Sequence, residues 1–591
     1  MEDTTYQIID GKVILRVRDH ICDTGEDLLA SPLFMEILRR CTDELARHNS
    51  SLLNIFPDRT ITHQSLRRLV DTMHYLLRVP ADKIPCLVDG SEHFLRDRAL
   101  LNDFVEYLYN YWRNLQRLVI CDSEGTRFDK RPYRTFTNTV EQLTHVVRST
   151  YRDLQENITG NHPRIYRQVR AGAEIATIAL PRDLVYPEDT YNNYQKLSSI
   201  PIIRQVLTYP PLIFNPPMNK RSGVFERVDV NPLDQVELQK HKWLCYPARV
   251  GDLVIMVYFN LRFFDLGFAL SNLFDLADDE DLKRKPDAIY LYGVTEHIQA
   301  SPTSNQTIFY DDEEHDILVG TVPVAPEYGY FGYLKKMILT LHNIKMMKRQ
   351  RMPFHGAMVH LAIKGRGEAT ILIMGDTGAG KSETLEALRS IAGEDVEDLT
   401  TIADDMGSLE LDGNGRLLGY GSEIGAFVRL DDLKPGYAFG QIDRTIIMSP
   451  AQTNSRVVLP VTTFDTIVRG YPVDFILYAN NYDTVSADTP FIDRFESAAD
   501  AMQVFRAGVV MSKGTTTTTG KVHTYFANVF GPEQYQPMHE AIAEKYFKAF
   551  FERGVFVGQM RTQLGVPGME QQGPELAARA LLQLVGSNRQ A

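Results

Sequence analysis

The residues with the clearest chemical potential are GDTGAGKSET at positions 375–384, which fit the GxxxxGK[ST] spacing. An apolar run, ILIM at 371–374, leads into them, and a helix-compatible run, ETLEALRSI, follows from Glu383. Strand, glycine turn and helix in that order form a phosphate cradle. Gly375, Gly378 and Gly380 let backbone N–H groups turn toward phosphate oxygens, with Asp376, Thr377 and Ala379 completing the loop, and the helix N-terminus adds its positive dipole end. Lys381 is placed to reach the β- and γ-phosphates of a nucleotide, and the Ser382 hydroxyl to ligate a metal.

Roughly two dozen residues beyond the loop, the pair Asp404-Asp405 closes the run TTIA at 400–403. A carboxylate at a strand end beside a phosphate loop suits Mg²⁺ or Mn²⁺, directly or through water. A second carboxylate next to it suits the abstraction of a proton from an attacking hydroxyl. Just upstream of the loop strand lies FHGAMVHL, with His355 and His360. A lone histidine is more often a satisfied structural residue than a ligand, and His360 is read that way.

These groups need a scaffold. The 591 residues suffice for two to four domains, and 44% hydrophobic with 24% charged residues is ordinary globular composition. The net charge of -13 excludes a global basic field for nucleic acid or anionic lipid. The opening MEDTTYQIIDGK has neither a basic nor an apolar segment, so no secretory signal is expected. The most apolar long stretch, 253–274, is broken by Arg262, Asp265 and Asn272 and reads as buried strand and helix, not a membrane span. Five scattered cysteines without CxxC pairing fit a reducing cytoplasm.

Along the chain, residues 6–17 predict a hairpin turning at Asp10-Gly11. Helical spacing over 31–157, as in Phe34-Ile37-Leu38-Cys41, predicts an all-helical module. Proline-rich residues 162–231 predict a loop-rich connection with short strands. Strand patterns follow at 253–259, 289–293, 307–310 and 317–322, then a helix over 333–348 and the buried strand 369–374.

At these residues the chain from about 287 to 561 resembles the phosphoenolpyruvate carboxykinases, and its phosphate loop also resembles that of HPr kinase/phosphorylase. The segment 330–336, YFGYLKK, is similar to one carrying a substrate-side tyrosine and a metal-ligating lysine, which implies those roles for Tyr330 and Lys336. FHGAM is similar to the segment whose histidine ligates the metal, here His355, and Asp405 falls in the position of the metal-binding aspartate. Asn454-Ser455-Arg456-Val457 with Pro460 resembles the motif whose arginine touches nucleotide phosphate and substrate. Segments 507–520 and 528–532 resemble the region near the adenine site. The implied metal set is Lys336, His355, Ser382 and Asp405. Its nitrogen ligands would favour Mn²⁺, with Lys336 a ligand only if its pKa is lowered.

The departures concern the acceptor. The glycine-arginine-serine-proline segment of the carboxykinases is missing, and the nearest match is Arg221 in NKRSG at 219–223. Near Phe427, in GSEIGAFVRL, a lysine expected after the aspartate pair is replaced. Asp376, Ser382 and Glu383 make the loop closer to the HPr kinase version. The chain before residue 242 matches neither family.

The expected fold is therefore α/β (α+β): an N-terminal hairpin and helical module over 1–160, a mixed middle domain over 161–350, and a carboxykinase-type P-loop domain over 351–591. The expected activity is transfer of the ATP γ-phosphoryl group to a hydroxyl of a small molecule or protein. Asp404 is the expected base, with Lys381, Arg456 and Lys336 also catalytic. Nucleotide contacts run from Gly375 through Glu383 and include Arg456; Tyr330 and Arg221 face the acceptor. An authentic ATP-dependent phosphoenolpyruvate carboxykinase is the first alternative, and a non-catalytic nucleotide-binding regulator the second. The expected cofactors are ATP with Mg²⁺ or Mn²⁺. Neither nucleic acid nor membrane is an expected partner, and the helical module is left to partner binding or self-association.

Overall fold

The structure is a computed structural model. It describes residues 5–18, 21–122, 131–162, 164–166, 168–181, 194–221, 224–299, 306–365, 367–391, 396–430, 433, 441–513, 519–531 and 533–587. The fold is mixed α/β, with several sheets and interspersed helices. Its contacts gather into two units, 1–182 with 201–209, and 183–200 with 210–591. The boundary expected at 160 lies inside the first unit and the one expected at 350 inside the second. No helix among the described residues is long and apolar enough to cross a membrane.

The first unit begins with the expected hairpin, Thr5–Ile9 against Lys12–Val17. Its turn residues Asp10 and Gly11 both have positive φ, 50° and 76°, as a two-residue turn matched to strand twist requires. The module that follows is not all-helical. Gln116–Cys121 is a strand, parallel to Lys12–Val17 on one side and to Ile175–Leu180 on the other. The run QRLVIC is only one strand long and sits between two strongly periodic helices, Arg98–Asn114 and Arg131–Thr159, so a helical window absorbs it. Pairing in a parallel sheet, invisible to local periodicity, decides its state. Val13, Leu15, Val17, Val119 and Cys121 form one sheet face, buried against Ile37, Leu38, Phe104, Val140 and their helical neighbours.

In the second unit, one sheet runs Glu226–Val228, Ile308–Asp312, Ile317–Pro323, Ala288–Val294, Leu253–Asn260 and Trp243–Val250. Another is built on Met352–Ile363, Gly367–Met374, Phe475–Asn480 and Phe556–Arg561, the last three mutually parallel. The helix Phe331–Lys348 packs against strands of both sheets, Ala288–Val294 and Ile317–Pro323 on one side, Met352–Ile363 and Met406–Leu411 on the other. It is buried around nearly its whole circumference although it carries Lys335, Lys336, Lys345 and Lys348. Any charge on this helix must find its partner inside the protein. The stretch 253–274 is, as read, strand and helix, Leu253–Asn260 and Phe264–Ala269.

Candidate active site

The glycine loop joins Gly367–Met374 to the helix Lys381–Ile391, the arrangement its sequence predicts. Gly378 and Gly380 have φ of 80° and 95°, open to glycine at little cost. The two are not equivalent. A Cβ at Gly380 would lie 2.5 Å from Thr562 Oγ1, whereas at Gly378 nothing lies within 4 Å. Thr562 Oγ1 donates to the Ala379 carbonyl at 2.7 Å, so a methyl at 380 must displace a side chain that holds the loop. Gly380→Ala is therefore expected to lower stability by about 1–3 kcal/mol, and Gly378→Ala by the smaller backbone cost alone. Chemical denaturation of both variants checks this, and equal losses would refute the clash.

Side chains from distant segments, each just past the end of a strand, clamp the loop. Asn481 Nδ2 donates to the Gly378 carbonyl at 2.9 Å, and Thr524 Oγ1 donates to Asp376 Oδ2 at 2.9 Å. Lys381 is 5% exposed; its ammonium donates to the carbonyls of Gly375 at 2.6 Å and Asp376 at 3.1 Å. Ser382 is exposed on the first turn, and His355 and Asp405 bond to one another.

The other expected ligands converge. His355 lies in Met352–Ile363, next to the loop strand, and its carbonyl accepts from Gly375 N at 3.2 Å. Its Nε2 is 2.9 Å from Asp405 Oδ1 and its Nδ1 is 2.5 Å from the Ala527 carbonyl. A carbonyl only accepts, so Nδ1 carries the proton, an assignment made from the bonding partners. In the neutral ring, the Nε2 lone pair then faces a carboxylate oxygen. Two acceptors in contact call for a cation between them or a second ring proton. A metal-binding histidine typically donates its other N–H to a carbonyl in this way. The carbonyl comes from strained backbone: Phe526, Ala527 and Asn528 all have positive φ, 45°, 57° and 62°, a state non-glycine residues hold only where surrounding structure enforces it.

Asp405 also accepts from Lys335 Nζ at 2.7 Å. Burial alone would raise the Asp405 carboxyl; Lys335, His355 and Lys381 together hold it well below the usual range. Asp404 goes the other way. Burial and the neighbouring Asp405 charge raise it, against Lys335, Lys381 and Arg389. Adjacent carboxylates with opposed shifts suit separate tasks, one staying ionised and one exchanging a proton. Lys336 Nζ lies over the Phe530 ring at 4.7 Å. Burial and the Arg221 guanidinium push its pKa down to about 8, which makes a neutral, ligating amine accessible. Among the described residues no group of three or more His, Cys, Asp or Glu side chains could hold a metal. The expected set contains only two such residues, His355 and Asp405, with Lys336 as a third donor, and two nitrogens beside one carboxylate suit Mn²⁺ better than Mg²⁺.

Tyr330 is buried, and burial raises its hydroxyl against the Arg456 charge. Arg456 lies over the Phe427 ring at 5.4 Å, and that ring packs against Phe331 at 5.1 Å and Tyr330 at 6.0 Å. The position where a lysine was expected is thus filled by an aromatic wall under Arg456. Arg221 is brought to the same place. Asn219 Nδ2 donates to the Thr453 carbonyl, and Asn454 Nδ2 to the Asn219 carbonyl, both at 2.6 Å. These bonds tie its segment to the loop before Arg456.

Two residues were missed by the sequence reading. Lys335, 2% exposed, lies between Asp405 and Glu423, 3.4 Å from Glu423 Oε1. Burial opposes its charge, but Asp405 and Glu423 hold its pKa above the ordinary value. Glu423 is 1% exposed, and burial, opposed by Lys335, pushes it up to about 8. The doubled lysine was a signal for Lys335; Glu423 had one too, an acid in an otherwise uncharged turn between strands.

No protein-family model matches the chain, and no curated protein matches it.

Proposed function

We propose that the second unit is an ATP- and divalent-metal-dependent phosphoryl transferase of carboxykinase-like type, a kinase whose acceptor is a hydroxyl on a small molecule or protein. One observation carries the reading: the Asp404-Asp405 pair, with opposed pKa shifts, lies within the field of the phosphate-loop lysine and in contact with His355. Lys381 would exchange its two loop carbonyls for phosphate oxygens. Backbone N–H groups of the loop would hold the β-phosphate. Asp404 would take the acceptor proton as the oxygen attacks, and Arg456, braced on Phe427, would orient the phosphoryl group. A divalent cation held by Asp405, His355 and Lys336 would neutralise charge on the phosphates.

A second reading, an ATP-dependent phosphoenolpyruvate carboxykinase, draws support from Arg221, whose charge is felt at both Lys336 and Tyr330. An arginine there could hold an acceptor carboxylate.

The direct test incubates the protein with γ-labelled ATP, Mn²⁺, pooled metabolites and cell extract, and follows the label. Label on a hydroxyl compound or protein supports the kinase; ATP left intact under all conditions would remove both readings. The metal assignment has its own expected result. Mn²⁺ should support activity at lower concentration than Mg²⁺, and His355→Gln should raise the Mn²⁺ requirement more than the Mg²⁺ requirement. Equal effects in a metal titration would exclude a direct nitrogen ligand.

A further inference from the structure

The first unit has two adjoining, partly open spaces that the phosphoryl-transfer reading does not use. The inner one is a cavity of about 160 Å³ walled by Leu15, Phe34, Ile37, Leu108, Val147 and Leu154. Natural cores seldom keep voids larger than a water molecule. An apolar space of this volume matches that of an engineered cavity of about 150 Å³ that takes up benzene, so it has room for one aromatic ring. Its walls come from the helices Pro32–Arg47, Arg98–Asn114 and Arg131–Thr159, so it belongs to the rigid frame of the unit. Thr150 also lines it, 5% exposed, and the Thr150 hydroxyl has no hydrogen-bond partner among the described residues. A buried hydroxyl is normally bonded.

The outer space, about 940 Å³ and open to solvent, has a mixed lining in which Asn138, Gln142 and Ser149 stand beside the charged Asp23, Arg148 and Arg152. Ile21, Cys22, Tyr109 and Tyr151 line both spaces. Tyr109 and Tyr151 are stacked, with ring centroids 4.0 Å apart and planes 9° from parallel, so the wall common to both spaces is a flat aromatic pair. Trp112 adds a third aromatic ring to the inner cavity. Aromatic walls favour an aromatic guest, which gains edge and face contacts beyond its buried area. The adjoining outer space offers both neutral and charged donors and acceptors for one head group, as small-molecule sites typically combine an apolar pocket with a few polar groups.

We propose that the first unit holds a binding site for a small amphipathic molecule, a single aromatic ring with one hydrogen-bonding head, the ring seated in the inner cavity and the head directed to the outer chamber. The proposal is independent of the chemistry assigned to the second unit. The test titrates the full chain with 4-methylphenol and with toluene, by calorimetry and saturation-transfer NMR. One molecule of 4-methylphenol should bind saturably per chain, at least threefold tighter than toluene. Val147→Phe, which fills the cavity, should weaken 4-methylphenol at least tenfold with the thermal midpoint retained. Val105→Leu, a smaller insertion from the same wall, should weaken it severalfold and serves if the phenylalanine variant does not fold. Absence of saturable binding, or equal affinity in a folded filled variant, would overturn the site. Toluene binding as tightly as 4-methylphenol would overturn the head-group assignment.

Discussion

Lys381→Ala is expected to abolish phosphoryl transfer and weaken ATP binding severely, with the fold intact. In the structure the Lys381 ammonium is buried and bonded to two carbonyls of its own loop, poised where phosphate oxygens would compete for it. Two neighbouring cations are engaged elsewhere: Lys335 on Asp405 and Glu423, Arg456 beside the buried Tyr330 and over the Phe427 ring. Neither can move onto the γ-phosphate without stranding a buried partner. Loss of one preorganised charge of this kind removes about 2.7–4 kcal/mol of transition-state stabilisation, roughly 10²–10³ in rate. Nucleotide titration and a single-turnover assay check it. Wild-type turnover in this variant would sink the assignment of the phosphate loop.

The second large effect separates the two chemical readings. Asp404→Asn keeps shape and volume but removes the base. With a hydroxyl acceptor, ATP should still bind while transfer falls by roughly 10²–10⁴-fold. The pH profile carries the same information. Burial and Asp405 raise the Asp404 carboxyl, and a base works only when ionised. The acidic limb of kcat should therefore lie above the ordinary carboxylate range, with activity lost as pH falls through the raised value and regained above it. In a carboxykinase the nucleophile is the enolate left by loss of CO₂, and no hydroxyl proton has to be removed. Oxaloacetate, ATP and Mn²⁺ should then yield phosphoenolpyruvate in a coupled assay. Turnover there on the order of 1–10³ per second would replace the kinase reading with the carboxykinase one, and Arg221 would become the residue to vary next. No such turnover is expected, because the glycine-arginine-serine-proline segment is missing and Phe427 stands where a cation was expected.

Elements held by local rules were legible from the residues alone. The glycine turn between strand and helix was, because its glycines, its apolar strand and its helix are contiguous, and the hairpin at Asp10-Gly11 was, because a two-residue turn needs positive φ at both positions. The buried stretch 253–274 was recognisable from hydropathy broken by isolated polar groups. What local pattern could not reach was anything set by partners far along the chain. Gln116–Cys121 reads as part of a helical region until parallel strands from residues 12–17 and 175–180 flank it. Of the two adjacent lysines, resemblance pointed to Lys336. Only the helix buried between two sheets revealed Lys335 as the one bonded to Asp405 and facing Glu423. The proton position on His355 depends on a carbonyl 172 residues away, at Ala527. Turn chemistry and periodicity act over a few residues and are written in the sequence. Burial, pKa shifts and the pairing of interior charges arise from groups that meet only after the chain has packed, and the tertiary structure alone decides them.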